Sequence, residues 1–167
     1  MTLSVLVLAL VTLQRLGELV LARRNTARLK AEGAVEVGAG HYPLIVALHA
    51  AWLAGLWPLA WSVVPSLPWL GLFAVLQALR VWVLVSLGPR WTTRILVLPG
   101  APLVRGGPYR FLKHPNYAVV IGEIAVLPIA FGLYGYALAF SLLNTAVLAI
   151  RIRAESEALA RFAGRGA

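Results

Sequence analysis

Residues 117–150 read YAVVIGEIAVLPIAFGLYGYALAFSLLNTAVLAI, an apolar stretch that decides the architecture. As a single helix this stretch would be about 50 Å long, since each residue adds about 1.5 Å. A bilayer core is only about 30 Å thick, so one span does not fit. The glycine-containing sequence FGLYGY lies near the middle, at residues 131–136. We therefore expect two short helices of about 22–25 Å each, joined by a turn at that point.

Three more apolar runs precede this stretch, at about Thr2–Ala22, Tyr42–Val64 and Trp69–Leu87. The mean hydropathy is +0.83. Only 13% of the residues are charged, which is too few for an ordinary soluble domain. The sequence therefore predicts an all-α integral membrane protein with about five transmembrane helices and a cytosolic C-terminal helix.

The basic residues fall on one side of this five-span arrangement. Of the 15 Lys and Arg, all except Arg15 and Arg80 follow the first span, lie in Gly88–Asn116, or follow Ile150. The two remaining turns carry none. By the positive-inside rule the basic side is cytoplasmic, which places the N-terminus outside and the C-terminus inside a bacterial-type inner membrane.

Two classes of partner are not expected from the composition. A net charge of +9 can indicate nucleic-acid binding, but in a membrane chain it reflects loop orientation. The chain has no cysteine, and its three histidines are scattered at positions 41, 49 and 114. No ligand spacing predicts a metal site. We therefore expect membrane lipids as partners of this chain, and we expect it to bind neither nucleic acid nor a metal ion.

Polar residues interrupt the spans on their cytoplasmic side, where they are costly unless they pair or face a cavity. They are Gln14, Arg15, Glu18, His49, Arg80, Glu123 and Asn144. One interpretation is snorkelling plus structural pairs such as Arg15 with Glu18 or Arg80 with Glu123. The other is a polar pocket at the inner leaflet.

The segment GPYRFLKHPNY at residues 107–117 is polar and rigid between two apolar runs. Pro108 and Pro115 each fix φ and remove a backbone donor. At His114-Pro115 we therefore expect any preceding helical segment to end and a new helix to begin at Pro115 or Asn116. A helix start suits a carboxylate or phosphate. The neighbouring cations and aromatic rings suit a nucleoside-like ligand; they are Tyr109, Arg110, Lys113 and Tyr117. An ordinary basic juxtamembrane loop is the alternative.

The C-terminal tail IRIRAESEALARFAG predicts that the last span continues as an amphipathic helix. Arg151 and Glu155 are four residues apart, so they share a helical face and are expected to pair. Leu159 and Phe162 form the apolar side. The alternative is an ordinary charged helix exposed to solvent, in which the same spacing of Arg151 and Glu155 has no functional meaning.

Together these features resemble the isoprenylcysteine carboxyl methyltransferase family. The similarity rests on GPYRFLKHPNY, the two short apolar helices and Arg151-x-x-x-Glu155-x-x-x-Leu159, and it is most specific over about Leu87–Phe162. The chain is also similar to a small bacterial branch associated with methylation of alkylpyrones or related lipidic enols. Two positions depart from the family pattern, with Lys113 in place of arginine and Ser156 in place of a second glutamate.

The resemblance implies a single membrane methyltransferase domain over residues 1–167 that uses S-adenosylmethionine. Its three spans in 1–87 would face the substrate, and residues 88–167 would supply the cofactor loop, two short spans and the tail helix. The implied cofactor contacts are Gly107, Tyr109, Lys113, His114, Pro115, Asn116, Tyr117 and Glu155. The implied catalytic residues are His114, Arg151 and Glu155. The implied substrate contacts are His49, Arg80, Glu123 and Arg110.

The acceptor is expected to be lipophilic, but its reacting group stays open. It is either the carboxylate of a prenylated, isoprenylcysteine-like substrate or the enol or phenol hydroxyl of an alkylpyrone-like lipid. A carboxylate needs no base, whereas a hydroxyl gains from one. His114 is the first candidate base, with His49 and Glu123 behind it. The alternatives to this function are a phospholipid N-methyltransferase, an NADPH-dependent membrane reductase and a non-catalytic membrane scaffold.

Overall fold

The computed structural model describes residues 2–102 and 104–163, without the side chains of residues 159 and 161–163. Five α-helices follow one another along the chain, and they are α1 Leu3–Ala31, α2 Tyr42–Ala60, α3 Leu67–Leu87, α4 Pro115–Ala130 and α5 Tyr134–Ala163. Two short strands, β1 Val35–Val37 and β2 Ile95–Val97, lie in the loops before α2 and after α3. The prediction of an all-α protein is confirmed.

Four of the helices, α1, α2, α3 and α5, are long and apolar enough to cross a membrane. The fifth, α4, has 16 residues and is shorter than the roughly 20 that a span needs. It is also well buried, with Glu123, Ile124 and Leu127 all at 2% exposure or less. The shortest helix is therefore surrounded by the longer ones, which present their apolar faces outward.

The split of the apolar stretch 117–150 is confirmed. Helix α4 ends at Ala130, and Gly132 adopts a positive φ of 73°. The amide of Leu133 then donates to the carbonyl of Pro128 at 2.9 Å, which closes the turn. Such a left-handed residue after a helix C-terminus favours glycine, because a side chain is strained there.

Two helix ends differ from the expectation. Helix α1 was expected to stop at Ala22, but it continues through the basic residues to Ala31. Arginine and lysine are good helix formers, and no glycine or proline occurs between Ala22 and Gly33, whose φ is +92°. Helix α2 ends at Ala60, four residues before the expected Val64.

The small antiparallel sheet was not predicted. Val35 pairs with Val97, and Val37 pairs with Ile95. Glu36 lies between them on β1 and accepts hydrogen bonds from Lys30 at 2.5 Å and from Arg94. The sheet therefore fastens the long loop after α3 to the end of α1.

The tail continues as a helix, as predicted. Helix α5 has 30 residues, about 45 Å at about 1.5 Å per residue, and thus exceeds the thickness of a bilayer core. The expected apolar side of the tail, Leu159 and Phe162, lies outside the described side chains.

Candidate active site

The loop after α3, the start of α4 and the end of α5 enclose a cavity of about 280 Å³. We call it the loop cavity. Six of the residues expected to contact the cofactor line it, and they are Tyr109, Lys113, His114, Asn116, Tyr117 and Glu155. Arg151 lines it as well. Segments about 40 residues apart in sequence, at 109–117 and 151–155, therefore meet around one space.

The segment at 107–117 is held by a close approach to α3. Gly107 has a φ of +58°, and a Cβ at this position would lie 2.2 Å from Oγ of Ser86. Only glycine fits there. The 3-10 turn that follows carries Tyr109 into the loop cavity. Burial, with a smaller contribution from the charge of Glu155, raises the pKa of Tyr109 to about 12, so its hydroxyl is protonated at neutral pH.

A chain of polar side chains crosses the floor of the loop cavity. Nε of Arg151 donates to the hydroxyl of Tyr117 at 2.9 Å, and that hydroxyl donates to the carboxylate of Glu155. Nδ1 of His114 lies 3.8 Å from the same carboxylate, and its ring stacks on Tyr117 with 5.4 Å between centroids. Arg151 and Glu155 do not pair directly as expected, because the Tyr117 hydroxyl stands between them.

A second cavity, also about 280 Å³, lies between the helices. We call it the helix cavity. Helices α1 and α2 supply most of its apolar lining residues, including Leu16, Leu19 and Leu53. Its polar residues are Arg15, Glu18, His49, Arg80, Asn116 and Arg151 together with the hydroxyl groups of several Thr and Tyr side chains. The two cavities share a wall that consists of Trp91, Thr92, Asn116, Tyr117 and Arg151.

Two arginines and two glutamates form a closed network beside the helix cavity. Arg80 binds Glu18 through Nε at 2.6 Å and Nη2 at 2.8 Å, and binds Glu123 through Nη1 at 2.7 Å. Arg15 binds the same two carboxylates at 3.0 and 2.8 Å. Two amide side chains also belong to the network, since Gln14 donates a hydrogen bond to Glu18 and Gln77 donates one to Glu123. The charges cancel, and the network joins α1, α3 and α4.

This network contains both pairs that the first interpretation of the intramembrane polar residues anticipated. Arg80 and His49 nevertheless line the helix cavity, as the second interpretation requires. Glu123 is 1% exposed and is not among the lining residues of either cavity. Arg110 is exposed, and Pro115 is buried at the start of α4; neither borders either cavity.

The shared wall contains polar atoms that nothing in the described part of the chain satisfies. They are Nε1 of Trp91, whose side chain is 3% exposed, and Oδ1 of Asn116. An unpaired buried polar atom costs about 1–3 kcal/mol. A buried donor and a buried acceptor without partners therefore lie where the two cavities meet, which fits a site completed by a bound polar molecule.

Sequence reasoning missed Trp91 and Thr92. Both lie in the loop after α3, where the basic residues dominated the interpretation. Asn25 of α1 fixes this part of the loop by donating to the carbonyl of Trp91 at 2.8 Å. Because that contact spans 66 residues, no local pattern announces it. Across the ranges 2–102 and 104–163, no group of three or more His, Asp or Glu side chains is placed to hold a metal ion.

The chain is similar to known proteins over most of its length. The model of the Isoprenylcysteine carboxyl methyltransferase (ICMT) family matches residues 69–161, more than half of the chain. A relative from Bacillus subtilis strain 168, the uncharacterized protein YpbQ, is 43% identical over 162 residues, which cover 94% of this chain and 96% of the relative. No solved structure matches this chain.

Proposed function

This chain belongs to the isoprenylcysteine carboxyl methyltransferase family, and on that premise we propose that it transfers a methyl group from S-adenosylmethionine to an oxygen of a lipophilic acceptor. Family membership implies a membrane methyltransferase. The choice of cofactor, the oxygen as target and the lipid acceptor are the parts that we propose.

One observation carries the proposal, namely that two cavities of equal size share a wall. A transferase must hold donor and acceptor side by side with the reacting atoms about 3–3.5 Å apart. The loop cavity combines polar and apolar residues in its lining, which suits the polar groups and the flat base of a nucleoside amino acid, and the helix cavity has the mainly apolar lining that an alkyl chain needs. Their common wall is where the two reactants would meet.

The residues of the loop cavity fit S-adenosylmethionine by their chemistry. The carboxylate of Glu155 suits ribose hydroxyls, and Arg151 has guanidinium nitrogens beyond its Tyr117 bond to offer to a carboxylate. Asn116 offers an ammonium group its side-chain carbonyl oxygen, which has no partner among the residues that the structure describes. When bound, S-adenosylmethionine supplies an electrophilic methyl group on a sulfonium. The chain contributes alignment of the nucleophile and exclusion of water.

The helix cavity favours an uncharged reacting group over a carboxylate. Arg15 and Arg80 both border it, but each is already bound to the carboxylates of Glu18 and Glu123. Arg151 borders it as well, but in this proposal its remaining nitrogens bind the carboxylate of the cofactor. An incoming carboxylate would have to compete with those bonds. An enol or phenol hydroxyl on an alkyl chain enters without that conflict, so we place the alkylpyrone-like acceptor before the isoprenylcysteine-like one.

Calorimetric titration of the detergent-purified protein with S-adenosylhomocysteine tests the cofactor assignment. We expect binding that Glu155→Ala and His114→Ala each weaken about tenfold or more, as loss of a charge-assisted contact of about 1.5–3 kcal/mol implies. Glu157→Ala and His41→Ala are the matched controls. Both residues lie outside the two cavity linings, and Glu157 is exposed on the same helix as Glu155.

The same titration separates the other functions. Binding of NADPH in place of S-adenosylhomocysteine would favour the membrane reductase. Binding of neither by folded protein would favour the scaffold. If S-adenosylhomocysteine binds and only phosphatidylethanolamine is methylated, the chain is a phospholipid N-methyltransferase and the oxygen-directed proposal is wrong.

We also propose that the N-terminus lies outside and the C-terminus in the cytoplasm. The basic C-terminal end of α1 and the basic loop after α3 are brought together by the β1–β2 sheet, at the end of the bundle where α4 begins. Because the chain has no cysteine, single cysteines report orientation directly. Val64→Cys, in the exposed turn after α2, should react with an impermeant maleimide in intact cells, and Arg105→Cys only after lysis. The reverse pattern would invert the topology.

A further inference from the structure

His49 lines the helix cavity, and one of its two ring nitrogens already makes a hydrogen bond within α2. Nδ1 lies 2.8 Å from the backbone carbonyl oxygen of Ile45, one turn earlier in α2. A carbonyl oxygen can only accept a hydrogen bond, so Nδ1 carries a proton. In the neutral ring the lone pair is then on Nε2. No hydrogen bond to Nε2 occurs within the described residues, so this nitrogen is available to a ligand.

The charged groups around His49 balance one another. Arg15 and Glu18 face the cavity from α1 and Arg80 from α3, and Glu123 of α4 binds both arginines. Arg151 of α5 is linked through Tyr117 to Glu155. Each arginine is thus matched by a carboxylate, and the surroundings carry no net charge. A neutral imidazole, the form that can take up a proton, is compatible with such a setting.

The other two candidate bases are less well placed. His114 borders the loop cavity and lies 3.8 Å from the Glu155 carboxylate, so it belongs to the cofactor side. Glu123 is 1% exposed and accepts from Arg15, Arg80 and Gln77. His49 is the candidate that faces the space of the acceptor.

We propose that His49 is the general base that removes the proton of the acceptor hydroxyl, an inference that rests on the proposed methyl transfer. The O–H bond breaks and its proton moves to Nε2 of His49. The acceptor oxygen forms a bond to the methyl carbon, while the methyl–sulfur bond breaks and leaves its electron pair on sulfur. The products are a methyl ether, a neutral thioether and an imidazolium that returns its proton to water.

The test uses two acceptors that differ by one nitro group and therefore in acidity, para-dodecylphenol and its ortho-nitro derivative. Phenols ionise near pH 10, whereas a nitro group makes the hydroxyl ionise unaided near neutrality. We expect His49→Gln to lower turnover of the plain phenol about 10²–10⁴-fold, the usual contribution of a general base. Turnover of the nitrophenol should change little. His41→Gln is the matched control and should alter neither.

Two further readouts do not depend on the variant's rate. The wild-type rate with the plain phenol should fall as the pH drops through the pKa of His49 in the complex, because a protonated ring accepts no proton. In the resting protein, ¹⁵N resonances assigned by their loss in His49→Gln should show the tautomer with the proton on Nδ1. S-adenosylhomocysteine affinity should be the same in His49→Gln and wild type.

The outcomes separate this inference from the proposed function. Absence of S-adenosylhomocysteine binding by the wild type would defeat the proposed function itself. With binding intact, an equal loss on both phenols, no loss on either, or no methyl transfer to either phenol would overturn the role of His49. A proton found on Nε2 in the resting protein would overturn it as well.

Discussion

Two groups of buried polar residues lie close together in this protein and differ in how completely they are paired. In the network of Arg15, Glu18, Arg80 and Glu123, charges of opposite sign bind one another directly. In the wall that the two cavities share, Nε1 of Trp91 and Oδ1 of Asn116 have no partner among the described residues. Buried polar groups that are paired with one another hold their helices in a defined arrangement, whereas a polar group that is left unsatisfied beside a cavity is available to a ligand.

Breaking the paired group should have the largest effect. Glu123→Ala leaves Arg15 and Arg80 without the carboxylate that joins them, and an uncompensated buried charge costs about 3–5 kcal/mol. We expect a sharply lower thermal midpoint in detergent, or loss of monodisperse protein in size-exclusion chromatography.

The control for this prediction is an ion pair at the surface. Glu32→Ala removes the ion pair between Glu32 and Arg28, whose side chains are 42% and 56% exposed, respectively. Such exposed pairs contribute about 0–1 kcal/mol to the stability of a protein. If Glu123→Ala were as stable as Glu32→Ala and had lost turnover instead, the network would belong to the substrate site and the contrast between the two groups would disappear.

Breaking the chain of bonds at the loop cavity should affect binding more than folding. Tyr117→Phe removes the hydroxyl between Arg151 and Glu155, so both side chains lose their orientation. We expect S-adenosylhomocysteine affinity to fall about tenfold, as loss of one or two hydrogen bonds implies. Calorimetric titration measures the loss.

Tyr136→Phe is the matched control for Tyr117→Phe. The Tyr136 hydroxyl donates to the backbone carbonyl of Trp52 at 2.7 Å, and Tyr136 itself lines neither cavity. Its removal should lower stability by about 1 kcal/mol and leave affinity unchanged. An equal loss of affinity in the two variants would show that the Tyr117 bonds act only through the fold.

Two tryptophans test whether the unpaired donor matters. Trp52 donates its indole N–H to the carbonyl of Ile124 at 3.3 Å, whereas the N–H of Trp91 is unpaired within the described residues. Substitution by phenylalanine removes the same atoms in both cases. Trp52→Phe should therefore cost about 1 kcal/mol more stability than Trp91→Phe, as measured by thermal denaturation of the two proteins without ligand.

Ligand should reverse the order of the tryptophan variants. If the Trp91 N–H bonds S-adenosylhomocysteine in the loop cavity, which Trp52 does not line, Trp91→Phe should lower the affinity for S-adenosylhomocysteine and Trp52→Phe should not. Equal destabilisation by both substitutions, with equal affinity, would mean that the Trp91 N–H is satisfied in solution and that the shared wall is no different from the network.

The contrast between the two polar groups could not be predicted from the sequence, although much of the fold could. The turn at 131–136 and the start of α4 at Pro115 follow from local chemistry, since glycine and proline determine the backbone there. The partners of Arg80 do not, because Glu18 lies 62 residues before it and Glu123 lies 43 residues after it. The sequence offered Arg80 both as half of a pair and as a substrate contact, and only the packing of α1, α3 and α4 shows its pairs.

The candidate site was partly predictable for the same reason. Tyr109, His114, Tyr117 and Glu155 lie in two short segments whose composition is unusual for a membrane chain, and the structure brings them together. Trp91 is held in the shared wall by a hydrogen bond from Asn25 to its backbone carbonyl, and no sequence spacing reveals that contact. The strands β1 and β2 are three residues each, too short for an alternating pattern to predict them.

A third polar group, around Glu36 in the β1–β2 sheet, is also paired but lies near water, and it should show the smallest effect. Lys30, and to a lesser degree Arg94, hold the pKa of Glu36 below its ordinary value of 4.5.

A carboxyl whose pKa is lowered by folding stabilises the folded state above its unfolded pKa. That contribution is present at pH 5 and above and is lost as the pH falls below about 4.5. Glu36→Gln should therefore lower the thermal midpoint at pH 7 slightly, consistent with about 0–1 kcal/mol for exposed partners, and its difference from the wild type should shrink as the pH is lowered through the pKa of Glu36. A difference that does not shrink as the pH falls would show that Glu36 acts through packing in the sheet rather than through its charge.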